Sequence, residues 1–231
     1  MLEKSERAYE KVINYIKDEI RVGNLKRGES LPPERELAEL LGVSRNSVRE
    51  AVRTMSLMGF VSSVQGAGNF VTCDLEKNFS ESLRIMLQLG ETNFLQISQM
   101  RRGLESETAR LACARILPGQ LARLEYLVDC MQREQNPDKA SHYDQEFHSL
   151  LCEAAGNRLI KAIFGAMLST VNEFIATMYA HIVTDKAEGR ALHDAHCMIV
   201  AALRAHDEDA AVQAIYQHFE VVNRSIIQRN I

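Results

Sequence analysis

Tryptophan is absent from this 231-residue chain, and proline (4) and glycine (12) are sparse. So few helix breakers exclude a collagen-like or low-complexity polymer and favour an ordered, mostly helical protein. The cysteines, at 73, 113, 130, 152 and 197, are odd in number and form no CxxC pair. That argues against a disulfide frame or a zinc knuckle and reads as scattered reduced thiols. No uninterrupted apolar run approaches the ~20 residues that span a bilayer. The opening MLEKSERAYE is charged and lacks the apolar stretch of a secretory signal. The expectation is a cytoplasmic protein with no membrane partner. There is no internal repeat.

A strong charge of one sign is missing as well. The net charge is −4, divided as +1 over residues 1–72 and −5 over the remainder. Any binding of nucleic acid must therefore rest on a local basic stripe, because the global field is weakly repulsive.

Such a stripe exists. LPPERELAELLGVSRNSVREAVRTMSLMGFVSSVQGAGNFVT, residues 31–72, reads as two short amphipathic helices around a tight turn, followed by a hairpin with a glycine-rich tip. Arg45, Arg49 and Arg53 lie four apart and so share one helix face, while Val48, Ala51, Val52 and Met55 occupy the opposite one. A helix apolar on one side and guanidinium-rich on the other suits the DNA major groove. Before it, residues 8–22 place Tyr9, Val12, Ile13, Ile16 and Ile20 on one face of a first helix. Pro32-Pro33 opens a second helix with Leu37, Leu40 and Leu41 as its buried side, and Ser44 is the expected N-cap of the third. Residues 60–64 and 70–72 read as strands joined across 65–69, a wing. Residues 73–78 read as a polar linker. Helical periodicity then fits 79–89, 93–116, 119–133, 139–155, 158–182, 186–205 and 207–229, an antiparallel bundle of six to seven helices.

On PPERELAELLGVSRNSVREAV and QGAGNFV, residues 8–72 resemble the winged helix-turn-helix domain of the GntR family of bacterial transcription regulators. The second half resembles the all-helical, FCD-type effector domain of that family's FadR branch. It does so on RRGLE, DQEFHSLL, Ala155-Gly156-Asn157, HCMIVAAL and QHFE. The resemblance implies a mainly α fold, with a winged helix-turn-helix over 1–72 and an effector and dimerisation domain over 79–231. It also implies a transcription regulator, expected to be a repressor, that binds a pseudo-palindromic double-stranded DNA operator as a homodimer. Arg35, Arg45 and Arg49 become the main DNA contacts. Ser44, Asn46 and Ser47 would start the recognition helix, and Gln65 and Gly66 would form the wing tip near the minor groove. Where the family wing often carries a basic residue, Ala67 stands here.

A second site emerges from the histidines. Asp144 and His148 are four apart on one helix, and His196 and His218 come from the last two helices. One carboxylate with three imidazoles is a borderline donor set, suited to Zn²⁺, Ni²⁺, Mn²⁺ or Fe²⁺. Spacing alone leaves open that these are core histidines, and His193 rivals His196 as the donor from its helix. The resemblance favours the metal, because metal-binding members use this Asp-x3-His, His, His pattern. It also implies that Arg101 clamps the carboxylate of a small organic-acid effector, against a plain surface pair with Glu105. Asn172 is a further candidate lining residue, and His142, His181 and His206 read as surface. Two alternatives stand beside this: a bundle sensing an acyl chain or acyl-coenzyme A without metal, and a metalloenzyme, for which no general base is evident.

Overall fold

The computed structural model describes residues 7–229, which divide into two compact units at Asn78/Phe79. The N-terminal unit is built from α1 (Ala8–Val22), α2 (Glu34–Leu41), α3 (Arg45–Leu57), β1 (Val61–Val64) and β2 (Gly68–Val71). Each helix ends where the sequence supplies a stop. Gly23 and Gly42 close α1 and α2 in the left-handed region, which glycine adopts without a Cβ penalty. Ser44 caps α3 by accepting from the Ser47 N–H at 3.1 Å. At the far end of α3, Gly59 (φ +72°) is required twice over. Its φ is positive, and a Cβ there would sit 2.8 Å from the Asp74 carbonyl and 2.5 Å from the Asn78 amide.

Val12, Ile16, Leu37, Val48, Ala51, Met55, Val61 and Val71 form one small core beneath the three helices and the wing. Within α2 the buried side is Leu37 and Ala38, with Leu41 half-buried, and Leu40 is 62% exposed. The expectation for Leu40 fails because, at 100° per residue, positions 37, 38 and 41 span one 100° arc and position 40 falls outside it. Ile20, in the last turn of α1, is likewise exposed. The wing pairs antiparallel with Val61 opposite Val71 and Val64 opposite Gly68. A lone bridge between Ser30 and Phe70 adds a one-residue pairing to the other edge of β2 that the sequence did not announce, since one paired residue leaves no alternation to read.

The C-terminal unit contains α4 (Leu75–Gln88), α5 (Phe94–Cys113), α6 (Pro118–Arg133), α7 (Pro137–Ala154), α8 (Arg158–Thr184), α9 (Lys186–Ala205) and α10 (Glu208–Arg229), with the first turn of α4 assigned to the N-terminal unit. Helix α4 thus starts inside the segment read as a linker. Its polar residues are compatible with helix, and no glycine or proline lies between Cys73 and Phe79 to stop one. Asn93, Asn136, Asn157 and Asp185 each accept backbone N–H groups at the start of α5, α7, α8 and α9. The main core gathers Leu124, Leu127, Phe147, Leu151, Ile199, Leu203, Ile215 and Phe219. A second cluster, Leu83, Ile97, Phe164, Met167, Val171 and Ile175, lies under α8.

Helix α8 is long and apolar enough to cross a membrane by length and composition alone. Here it packs into the bundle, burying Phe164, Met167, Val171 and Ile175. Its backbone breaks at Val171 (φ −116°, ψ 16°). The preceding Thr170 hydroxyl donates to the Ala166 carbonyl at 2.9 Å, a back-bond of the kind that bends helices. The same hydroxyl lies 3.1 Å from the Ser80 carbonyl of α4.

Candidate functional site

Helices α5, α7, α9 and α10 converge on a group of buried polar side chains. Asp144 and His148 leave α7 in the same direction, His196 enters from α9 and His218 from α10. One donor atom from each lies within 4.8 Å of all the others. The Asp144 Oδ1 is 3.1 Å from His196 Nε2 and 3.8 Å from His148 Nε2. All four are buried. Among the described residues, Asp144 Oδ1, His148 Nε2, His196 Nε2 and both nitrogens of His218 have no hydrogen-bond partner. Leaving such groups unsatisfied costs about 1–3 kcal/mol each. Four of these orphaned atoms, one from each residue, converge on one point and therefore fit a cation, and a carboxylate with three imidazoles is a sound set for a divalent transition metal.

A residue to which the sequence reading gave no role in the metal group holds it in register. Glu105, fully buried on α5, brings Oε2 to 2.5 Å from His148 Nδ1. A carboxylate that close requires a proton on Nδ1, which leaves Nε2 as the lone-pair donor facing Asp144. The other Glu105 oxygen accepts from Arg101 Nε at 3.0 Å. Arg101 and Glu105 are thus the expected i,i+4 pair, but buried, with side chains 8% and 0% exposed. Arg101 also stacks between Phe164 and Phe219, 5.6 and 5.3 Å from the ring centres.

The electrostatics follow from burial set against neighbours. Burial pushes the Asp144 and Glu105 carboxyls up. The histidines beside Asp144, and His148 with Arg101 beside Glu105, outweigh that and hold both below the usual carboxylate range. Burial pushes His196 and His218 down, so both are kept neutral, the form that binds metal. His148 is pulled the other way: burial lowers it, but the Glu105 and Asp144 carboxylates raise it above its ordinary value.

Asp144, His218 and Arg101 form the polar end of a cavity of about 40 Å³. Its walls are apolar, with Phe94, Val171, Phe174 and Met178 among them, and Phe94 stacks on Phe174 at 3.7 Å. Ser98 and Tyr179 add hydroxyls to the lining, and Ser98 Oγ is 2.6 Å from Asn223 Oδ1. Burial, reinforced by Asp144, pushes the Tyr179 phenol well above its ordinary value, so it remains a neutral donor. Asn172 is not part of this lining. It is exposed next to the kink, and its neighbour Val171 faces the cavity. His193 stays outside the donor group, 3.4 Å from Cys197 Sγ on the outer side of α9. His142, His181 and His206 are exposed.

In the N-terminal unit Arg45, Asn46, Arg49, Gln65 and Gly66 are exposed and Ser47 is half-buried. Arg35 donates to Glu39 Oε1 and Arg49 to Glu34 Oε2, each at 2.9 Å. Both arginines are solvent-exposed, and Glu34 is half-buried, so each pair is weak enough for its glutamate to be exchanged for another anion.

An FCD domain matches over residues 96–221, and the gntR family of bacterial regulatory proteins matches over 8–71. The chain is 29% identical to the Uxu operon transcriptional regulator of Escherichia coli (strain K12), covering 97% of this chain and 88% of that protein. It is 29% identical to the HTH-type transcriptional regulator LutR of Bacillus subtilis (strain 168), covering 86% of this chain and 92% of that one. Among solved structures it resembles a GntR protein of Streptococcus agalactiae, with TM-score 0.63 and 27% identity over 94% of this chain and 99% of that chain.

Proposed function

The chain belongs to the gntR family of bacterial regulatory proteins and carries an FCD domain; it is a DNA-binding transcription regulator, and we propose that it is a cytoplasmic homodimeric repressor released by a small carboxylate or hydroxy acid. The observation that carries the ligand side of this reading is the convergence of four partnerless buried donor atoms, one per residue, beside Arg101. Asp144, His148, His196 and His218 would hold the metal. When bound, it supplies a Lewis-acidic anchor for an effector oxygen. Arg101, with its Nε and Nη2 both on Glu105 Oε1, lines the same cavity, and its remaining Nη1 would bind the effector carboxylate. Tyr179 would donate to a neighbouring hydroxyl.

Size favours a small acid over an acyl-coenzyme A. The cavity of about 40 Å³ has room for about three water-sized groups at ~10–15 Å³ each.

On the DNA side, Arg45 and Arg49 would meet base edges or phosphates in the major groove, with Arg35, Ser44, Asn46 and Ser47 fixing the register and Gln65 and Gly66 at the minor groove. Two copies would match operator symmetry. A coupling of ~1–3 kcal/mol between sites is enough for regulation.

The test combines elemental analysis with operator binding. Purified protein should carry close to one metal ion per chain, and His148→Ala/His196→Ala should carry none. On an operator recovered by selection from random DNA, hydroxy acids should weaken binding of the wild type and leave the double variant unaffected. Wild type that stays metal-free after reconstitution would overturn the metal reading.

A further inference from the structure

Lys186, Gly189, Arg190 and His193 recur at i, i+3, i+4 and i+7 and so share one face of α9. That face lines a second and larger cavity of about 470 Å³, well inside the size range of small-molecule sites. Its lining includes His196, whereas Asp144, His218 and Arg101 line the inner cavity. Tyr179 and Leu192 line both spaces and form the partition between them.

The outer chamber has its own chemistry. Lys186 and Arg190 make no ion pair with any described residue, and His193 is not needed by the metal group. Gln132 and Gln135 add amides from α6 and the segment after it. Glu134 is the one carboxylate in the lining, and its Oε1 already accepts the Asn136 N–H at 3.0 Å. Asp185, next to Lys186, is likewise occupied in capping α9 through the N–H groups of Ala187 and Glu188. Gly189 packs its backbone so closely on Val183 that a Cβ would lie 3.2 Å from Val183 Cα, which brings the first turn of α9 and its cations over the chamber.

We propose that this outer chamber is a second ligand site, for a small multivalent oxyanion (a dicarboxylate or a phosphate-bearing metabolite) held by Lys186, Arg190 and His193. Two unpaired cations on one helix face, amide donors opposite and apolar side walls recognise spread negative charge better than a single carboxylate. The site is independent of the effector assigned to the inner cavity. It stands or falls on the α9 cations, not on the metal.

The test is isothermal titration calorimetry on the full chain, with metal content measured in parallel. Sodium phosphate, succinate and acetate serve as probes at fixed ionic strength. The expected result is saturable one-to-one binding of succinate or phosphate, at least tenfold weaker in Lys186→Gln/Arg190→Gln, with the melting midpoint and metal content unchanged. Acetate should show no such dependence on the two cations. Succinate binding alone identifies a dicarboxylate site, and phosphate binding alone a phosphate site. Equal affinity in the double variant overturns the proposal, as does binding that vanishes with the metal instead of with the cations.

Discussion

In the N-terminal unit Arg35 pairs with Glu39 and Arg49 with Glu34 at 2.9 Å, and in the C-terminal unit Arg101 pairs with Glu105 at the same 2.9 Å. Distance does not distinguish these pairs; solvent does. The arginines of the first two are solvent-exposed, where an ion pair contributes little and the glutamate can be traded for a phosphate. The third has lost its water, so each charge depends on the other and on His148. One unit therefore keeps its charges at the surface, and the other locks them into a fixed buried arrangement.

The sharpest way to break this contrast is to remove one buried partner. Glu105→Ala strands Arg101 and frees His148, and is expected to cost about 3–5 kcal/mol in urea unfolding. Arg35→Ala should leave the unfolding midpoint unchanged. A loss as small for Glu105 as for Arg35 would erase the distinction.

Acid should separate the units next. His196 and His218 have folded values below the ordinary one, so the unfolded chain takes up two protons that the folded bundle refuses. Stability is then lost as pH falls through ~6.5, by up to about 2.7 kcal/mol per pH unit for two such groups. His148, raised when folded, has the opposite sign: its contribution is complete below ~6.5 and fades as pH rises through its folded value. Asp144, lowered, adds a further loss only below ~4. Hydrogen–deuterium exchange of chelated protein between pH 7 and 5.5 should show α7, α9 and α10 deprotecting while α1–α3 stay protected. Uniform deprotection would contradict this.

Smaller effects test the surface side. Arg45→Ala or Arg49→Ala should weaken operator binding by about 1–3 kcal/mol per lost base contact, read by fluorescence anisotropy, with no change in melting. Ser44→Ala, which removes the cap of α3, should lower stability by about 1 kcal/mol.

The same contrast explains what the sequence made legible. In the N-terminal unit the helices and their stops were readable because stops and caps are local signals, while Leu40 and Ile20 were misplaced and the second strand, read as 70–72, runs Gly68–Val71. The four metal-group residues were readable as types and spacing, and the structure brings all of them together. Glu105 was not, because a charged pair four apart looks alike on a surface and in a core. A signal was nonetheless present: Ser98, Arg101, Glu105, Thr108 and Ala112 repeat at helical spacing and are all buried, a polar stripe on the face that small neighbours bring close to α10. The early start of α4 and the Ser30 bridge escaped for a simpler reason, since neither carries a periodic pattern.

The donor group also has an order in time. Its members come off the ribosome as Asp144, His148, His196 and His218, from three helices, and the group closes only when α10 has been made. Chains are synthesised from the N-terminus and domains fold as units. The helix-turn-helix unit can therefore be finished while the four-residue group is still open, and the arrival of α10 with His218 is the step that completes it.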